Sequence, residues 1–157
     1  MSAAAGVHPN AAGSGIGAPW LHLWLAESLR KVGRHDDALG ALGLGIAQAA
    51  QQSQHYYDAE LHRLRAEILL DMDGNAVEEA EALLGQSLEI ARRQEAKTFE
   101  LRAATSLARL WQRQGKPQWG GCDAARDLLA PVYEWFTEGF DTRDLIEAKA
   151  LLDELGT

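Results

Sequence analysis

Apolar residues recur every three or four positions along most of this chain, which is the period of an amphipathic α-helix. The periodic segments are separated by short breaks rich in Gly, Pro, Asn and Asp, the residues that most often interrupt helices. This pattern predicts an all-α fold with seven helices. They are expected at about 19–32, 36–52, 56–72, 76–94, 98–114, from about 123 onward, and at about 142–155.

Within the first expected helix, Leu21, Leu25, Leu29 and Val32 recur at helical spacing and predict one buried stripe. Pro131 predicts a kink or an early end in the sixth helix, because proline lacks a backbone donor. Several polar residues stand where a side-chain cap would begin a helix. The candidate caps are residues 35–37, Asn75 with Glu78, Thr98, and Asp141 or Thr142.

Small residues recur at a longer period. The first helix of each successive pair carries one, at intervals of 40 and 42 residues: Ala26, Ala66 and Ala108. The second helix of each pair carries another, at intervals of 42 and 45 residues: Ala38, Ala80 and Ala125. Such a period, built from helix pairs, is typical of an α-solenoid. The sequence therefore predicts a helical-repeat domain over 19–157, with hairpins at about 19–53, 56–95 and 98–137, a terminal capping helix at about 142–155, and a disordered Ala/Gly leader at 1–18.

The first helix pair resembles the tetratricopeptide repeat, which places small and apolar residues at fixed offsets around a Gly-containing turn. Its register is met without insertion by Leu25, Ala26, Leu29, Gly33, Ala38, Leu42 and Gly45. The second pair needs two extra residues at its turn, and the third needs about five. The resemblance covers about 19–137 and implies a superhelical stack whose first helices line a concave groove.

Four stretches of the second half, at 59–67, 88–94, 101–110 and 132–141, resemble the C-terminal repeat region of large bacterial signalling ATPases. In that family the region often follows a class III adenylate or guanylate cyclase domain and an ATPase domain. This chain contains no Gly-rich loop ending in Gly-Lys-Ser/Thr, so it has no phosphate-binding loop of that type. The resemblance implies a sensor or scaffold segment for signal transduction, without catalysis of its own.

The charge balance narrows the choice of partner. A formal net charge of −8 and a pI near 5.1 argue against a nucleic-acid-binding surface, which needs a basic excess on one face. Cys122 is the only cysteine, so an intramolecular disulfide is excluded and a reducing compartment fits. The first 19 residues lack the basic start and the apolar run of a signal peptide or a membrane span. We therefore expect a cytoplasmic protein that does not enter a membrane.

In the tetratricopeptide register, the first helices expose a set of groove positions. The third copy is basic there, because Arg102, Arg109 and Arg113 share one helical face, and their guanidinium forks suit carboxylates. With Arg63 and the loop residue Trp119 they predict a site for an acidic peptide or a chain terminus. The other groove positions are Trp20, Leu23, Glu27, Arg30 and Lys31 in copy one, Glu60, Glu67, Leu70 and Asp71 in copy two, and Thr105 and Gln112 in copy three.

A structural interpretation of the same residues stays open, in which Arg102 and Arg109 pair with Glu60 and Glu67 on the neighbouring helix. Four aromatic residues could form a contact surface near the loop: Trp111, Trp119, Trp135 and Phe136. Of these, Trp111 and Phe136 are expected in the core and Trp119 at the surface. His55, Asp58 and His62 could face one side of a helix. Because no fourth ligand accompanies them, we expect a solvated surface and neither metal nor cofactor.

Three functions are compatible with the sequence. The first is a non-catalytic module that binds a protein or peptide partner through the groove. The second is a C-terminal regulatory fragment of a nucleotide cyclase or signalling ATPase. The third is a small-ligand-binding domain with a pocket between Trp20, Tyr56, Tyr57 and the first hairpin. The exposed first helix, through Leu21 and Trp24, also predicts self-association.

Overall fold

The structure of the chain is a computed structural model, which describes residues 19–114 and 121–156. Over these ranges the regular structure is entirely helical, with seven helices and no strand, so the predicted all-α class is confirmed. The leader expected at 1–18 lies outside the described residues, and so do residues 115–120, which include Trp119. The helices are α1 (Pro19–Lys31), α2 (His35–Gln52), α3 (Asp58–Met72), α4 (Val77–Arg93), α5 (Lys97–Gln114), α6 (Gly121–Glu134) and α7 (Arg143–Leu155).

Each helix packs most extensively against its neighbours in the chain. The pairs α1 with α2, α3 with α4 and α5 with α6 form the largest contacts, and α2 with α3, α4 with α5 and α6 with α7 join one pair to the next. The odd-numbered helices also touch in sequence, from α1 to α3, from α3 to α5 and from α5 to α7. The side chains of α1, α3, α5 and α7 are thereby brought to one common surface.

The periodic small residues lie where helices pack. Six alanines are fully buried: Ala26, Ala66 and Ala108 in α1, α3 and α5, and Ala38, Ala80 and Ala125 in α2, α4 and α6. A second small position in the even helices is also buried. It is filled by Gly45 in α2 and Ser87 in α4, and a larger residue, Val132, takes it in α6.

Close approach of helices explains two of these choices. A Cβ at Gly45 would lie 2.9 Å from the Cβ of His22 and 3.3 Å from a methyl carbon of Leu61, so only glycine fits between α1, α2 and α3 without a shift. Ser87 donates a hydrogen bond of 2.7 Å from Oγ to the carbonyl oxygen of Ala59 at the start of α3. Both contacts fix an even helix against an odd helix.

The buried stripe expected in α1 is wrong in part. Leu25 and Val32 are exposed, and the buried side chains of this helix are Pro19, Leu23 and Ala26. Helix α1 contacts α2 and α3, so its buried face is centred between these two helices. The side chain of Leu23, expected in the groove, belongs to the core for the same reason.

The expected caps are also corrected. Helices α2 and α5 begin at His35 and Lys97, so residues 35–37 and Thr98 lie inside the first turns. Asn75 does not cap α4, because the helix starts at residue 77 and Ala76 holds the N-cap position, where no side chain makes a capping bond. The backbone N–H of Asn75 donates to Oδ1 of Asp73. Residue 142 precedes α7, but its hydroxyl makes no capping bond. Helix α6 continues through Pro131 to its end at residue 134.

None of the described helices is both long and apolar enough to cross a membrane.

Candidate binding groove

A cavity of about 1130 Å³ lies along the surface formed by the odd helices, and we call it the charged groove. Its walls come from the C-terminal part of α1, most of α3 and α5, Leu84 of α4, and the N-terminal part of α7 with the residue before it. Four arginines singled out in the sequence line this one cavity: Arg63, Arg102, Arg109 and Arg113. Helices α1, α3 and α5 all contribute side chains to it, and α3 contacts both α1 and α5.

Glu60 is the most deeply buried charge beside the groove, with a side-chain exposure of 2%. Its carboxylate accepts two hydrogen bonds from Arg63, at 2.9 Å from Nε and 3.0 Å from Nη2. A third comes from Nη1 of Arg102 at 3.0 Å. The buried carboxylate is thus held by two guanidinium groups, which is the condition under which a buried charge is tolerated.

Glu67 forms the second centre, about two helical turns further along α3. Its carboxylate accepts hydrogen bonds from Arg63, at 2.7 Å, from Arg30, and from the hydroxyl of Ser106, at 2.7 Å. Burial by itself raises the pKa of this carboxyl. The nearby charges of Arg63 and Arg30, with the Ser106 hydrogen bond, outweigh that effect and hold the pKa of Glu67 below its usual range.

The same cations reach acids on other odd helices. Arg30 also donates to Asp71 at 2.5 Å, and Arg102 donates to Asp144 of α7 at 2.8 Å. Burial lowers the pKa of Arg102, but Glu60 and Asp144 outweigh it and raise the pKa above its usual value. The ion pairs of Arg30 therefore link α1 to α3, and those of Arg102 link α5 to α3 and α7.

The remaining arginines differ. Across the described parts of the chain, Arg109 and Arg113 form no side-chain hydrogen bond and no ion pair, although both line the groove. They lie one turn apart near the C-terminal end of α5. Their guanidinium groups keep their donors for another molecule or for water.

The structural interpretation is therefore confirmed for one pair and wrong for the other. Arg102 does contact Glu60. Arg109 does not contact Glu67, because Arg63, Arg30 and Ser106 already surround that carboxylate.

The aromatic residues assigned to a ligand pocket are arranged differently from the expectation. The rings of Tyr56 and Tyr57 lie 4.9 Å apart in an edge-to-face contact, and Tyr56 lies 5.4 Å from Phe99. Trp20 pairs with Trp24 at 5.0 Å. Tyr56 instead borders a second cavity of about 870 Å³, which we call the aromatic cavity, at the α4–α5 turn and the end of α6.

Sequence reasoning missed this second cavity, and expected one of its residues elsewhere. Phe136, which was expected in the core, is only partly buried and packs against the edge of the core. It also lines the aromatic cavity, together with Phe99 and Trp135. Trp111 is half-buried and donates from Nε1 to Glu81 at 2.7 Å. The recurrence of aromatic residues just before or within the first turn of α3 and α5, and after α6, was the available signal.

The histidine cluster gives no metal site. His55 Nδ1 lies 2.9 Å from the Asp58 carboxylate, and burial lowers the pKa of His62. Among residues 19–114 and 121–156, no three potential metal-ligating side chains come together. Cys122 is a free, exposed thiol.

Comparison of the chain with protein-family models, with curated proteins and with solved structures finds no match.

Proposed function

We propose that the chain is a non-catalytic interaction module that binds an acidic peptide segment of a partner protein in the charged groove. The observation that carries this proposal is the pair Arg109 and Arg113, two guanidinium groups one helical turn apart that have no partner among the described residues, in a cavity large enough for a peptide. Each guanidinium can bind a carboxylate with two parallel hydrogen bonds.

The charge of the groove supports an acidic partner. Its described lining holds seven cationic side chains against five carboxylates, with the carboxylate of Glu60 beside them. The whole chain has a formal net charge of −8. A cationic excess concentrated in one cavity of an acidic protein favours anionic ligands there and speeds their encounter.

The scaffold proposed for this groove is an α-solenoid of three tetratricopeptide-like hairpins closed by α7. Its support is the buried alanine at the same register position in α1, α3 and α5, and the packing of each helix pair on the next. Repeats of this kind use the surface formed by their first helices for binding.

The sequence stretches that resemble bacterial signalling ATPases suggest what the module would serve. We propose a regulatory role next to a nucleotide cyclase or ATPase, with the chemistry performed by that enzyme. Translation of the genomic DNA upstream of Met1, in frame, tests this part. A stop codon with no cyclase or ATPase gene nearby would contradict it.

Binding of a fluorescent peptide tests the main proposal. The probe is a hexapeptide of Asp and Glu, and its counterpart carries Asn and Gln at the same positions. We expect fluorescence anisotropy to detect binding of the acidic peptide only, with an affinity that falls as salt is added, because the contacts are electrostatic.

Two variants with the same charge change decide whether the groove is responsible. Arg109→Glu lies in the groove, and Arg126→Glu lies on α6 outside it, where Arg126 is half-exposed and only 3.9 Å from Asp123. We expect Arg109→Glu to bind the acidic peptide at least about tenfold more weakly, because it loses one charge-assisted contact. Equal affinities for the two variants, or no binding by the wild type, would contradict the proposal.

A further inference from the structure

The aromatic cavity gathers apolar rings that remain accessible. Four aromatic side chains among the described residues line it: Tyr56, Phe99, Trp135 and Phe136. Tyr56 and Trp135 are 61% and 58% exposed, so more than half of the surface of each residue is open to a ligand. Rings grouped in a concave site, with a few polar groups beside them, are the usual composition of a small-molecule site.

The polar groups of this cavity have spare hydrogen-bond donors. The carboxylate of Glu100, which is almost fully buried, accepts from Nε of Arg92 at 3.0 Å and from Nζ of Lys97 at 2.7 Å, so both of its oxygens are occupied. An ammonium has three donors and a guanidinium has five. Lys97 and Arg92 therefore keep donors that Glu100 does not use, and since both side chains are partly exposed, these donors are open to an acceptor from solution.

Rings and donors lie within reach of one small molecule. Nζ of Lys97 is 5.6 Å from the centre of the Trp135 ring. A ligand whose carboxylate accepts from Lys97 can place an aromatic ring beside Trp135 and Tyr56. Charge-assisted bonds and ring contacts would then act on the two ends of one ligand.

We propose that the aromatic cavity binds a small aromatic carboxylate, with its carboxylate on Lys97 and Arg92 and its ring against Trp135 and Tyr56. Glu95 also lines the cavity, and its negative charge opposes the carboxylate. The ligand is therefore a monoacid, since a polyanion would meet stronger repulsion from Glu95 and Glu100.

Titration with 3-phenylpropanoate, followed by proton–nitrogen NMR, tests the proposal. The reporter is the indole N–H signal of Trp135, assigned from its disappearance in Trp135→Ala. We expect this signal to shift saturably with the acid and not with 3-phenylpropan-1-amine, which has the same ring and the opposite charge. No saturable shift with the acid, or equal binding of acid and amine, would overturn the proposal.

Three variants locate the contacts. Backbone signals near the cavity report binding in Trp135→Ala, which removes a ring more than half exposed and is expected to fold normally. Trp135→Ala and Lys97→Met should each lower the affinity for 3-phenylpropanoate by about tenfold. Glu95→Gln should raise the affinity for 3-phenylpropanoate by about two- to fivefold, because the substitution removes the opposing charge. Unchanged affinity in Trp135→Ala, or weaker binding in Glu95→Gln, would contradict the placement.

Controls separate this site from the charged groove. Trp24→Ala removes an equally exposed tryptophan of α1, and Arg109→Glu disrupts the groove, so both should leave affinity for the acid unchanged. A loss in Arg109→Glu would place the acid in the groove and overturn this proposal.

The aromatic carboxylate can be a free acid or the C-terminal Phe of a peptide. A tetrapeptide ending in Phe, with and without C-terminal amidation, distinguishes the two sources. Binding that requires the free terminus and exceeds that of 3-phenylpropanoate would indicate a chain end. Preference for the small acid would indicate a metabolite.

Discussion

Glu60→Gln is the perturbation that probes the charged network most directly. The change keeps the approximate volume of the side chain and removes its negative charge. In the wild type this carboxylate is 2% exposed and accepts three hydrogen bonds, two from Arg63 and one from Arg102. An amide can accept from one guanidinium but turns its own N–H groups toward the other. One of the two guanidinium groups is then left facing a donor.

The size of the effect follows from what each arginine retains. Losing one partner of a buried ion pair costs about 3–5 kcal/mol. Arg63 keeps Glu67 at 2.7 Å and Arg102 keeps Asp144 at 2.8 Å, so the cost belongs at the lower end, about 3 kcal/mol. For a chain of 157 residues, this loss lowers Tm by about 6–12 °C.

Urea unfolding followed by circular dichroism at 222 nm measures the free energy of unfolding of both proteins. The matched control is Glu79→Gln, because Glu79 is exposed and lies 4.0 Å from Arg65. This control should lose less than about 1 kcal/mol. If Glu60→Gln lost no more than Glu79→Gln, the buried network would contribute no stability, and the energy assigned to its ion pairs would be wrong.

Three further outcomes are expected. Gly45→Ala should lower the free energy of unfolding by about 1–3 kcal/mol, because its Cβ would meet His22. Gly43→Ala, where a Cβ has open space, should raise it by about 0.5–1 kcal/mol, and chemical denaturation compares the two variants. Because the pKa of Glu67 is depressed in the folded state, the unfolded chain binds more protons than the folded chain in acid. The free energy of unfolding should therefore fall as the pH drops below about 4.3. Glu67→Gln should make this dependence on pH less steep. Trp24→Glu should abolish concentration-dependent association in sedimentation, and a wild type monomeric at every concentration would contradict the predicted self-association.

Helix positions could be predicted well from the sequence because strong local signals mark the breaks. Gly33 has a φ of +78°, a conformation that glycine adopts at little cost, and the chain turns there between α1 and α2. The exact first residues were less predictable. Asn75 had the composition of a cap, but Asp73 bonds its backbone instead and the helix begins later.

The orientation of α1 could not be read from its own pattern. Leucines occur on more than one side of this helix, and the expected stripe included Leu25, which is exposed. The true core face is set by α2 and α3 together, and Leu23 and Ala26 meet them. A single-helix period cannot report which of several apolar faces a second neighbour will cover.

The repeat spacing predicted some of the ion pairs across the groove but not all of them. Side-chain bonds between odd helices join residues 37 to 42 positions apart, close to the repeat spacing of 40 and 42. That spacing matched Arg102 to Glu60 correctly. It also matched Arg109 to Glu67, where three donors compete for one carboxylate and Arg63, on the same helix, is nearer. Competition of this kind depends on three-dimensional distance.

The division of the arginines determines how a ligand can enter the groove. An anion that bound Arg63 would have to displace Glu60 or Glu67, and a displaced buried carboxylate without a partner is costly. An anion that binds Arg109 and Arg113 displaces no carboxylate of the described residues. Ligand binding and fold stability are therefore expected to depend on different arginines. Arg109→Glu should reduce peptide affinity with little change in Tm, and Glu60→Gln should do the reverse.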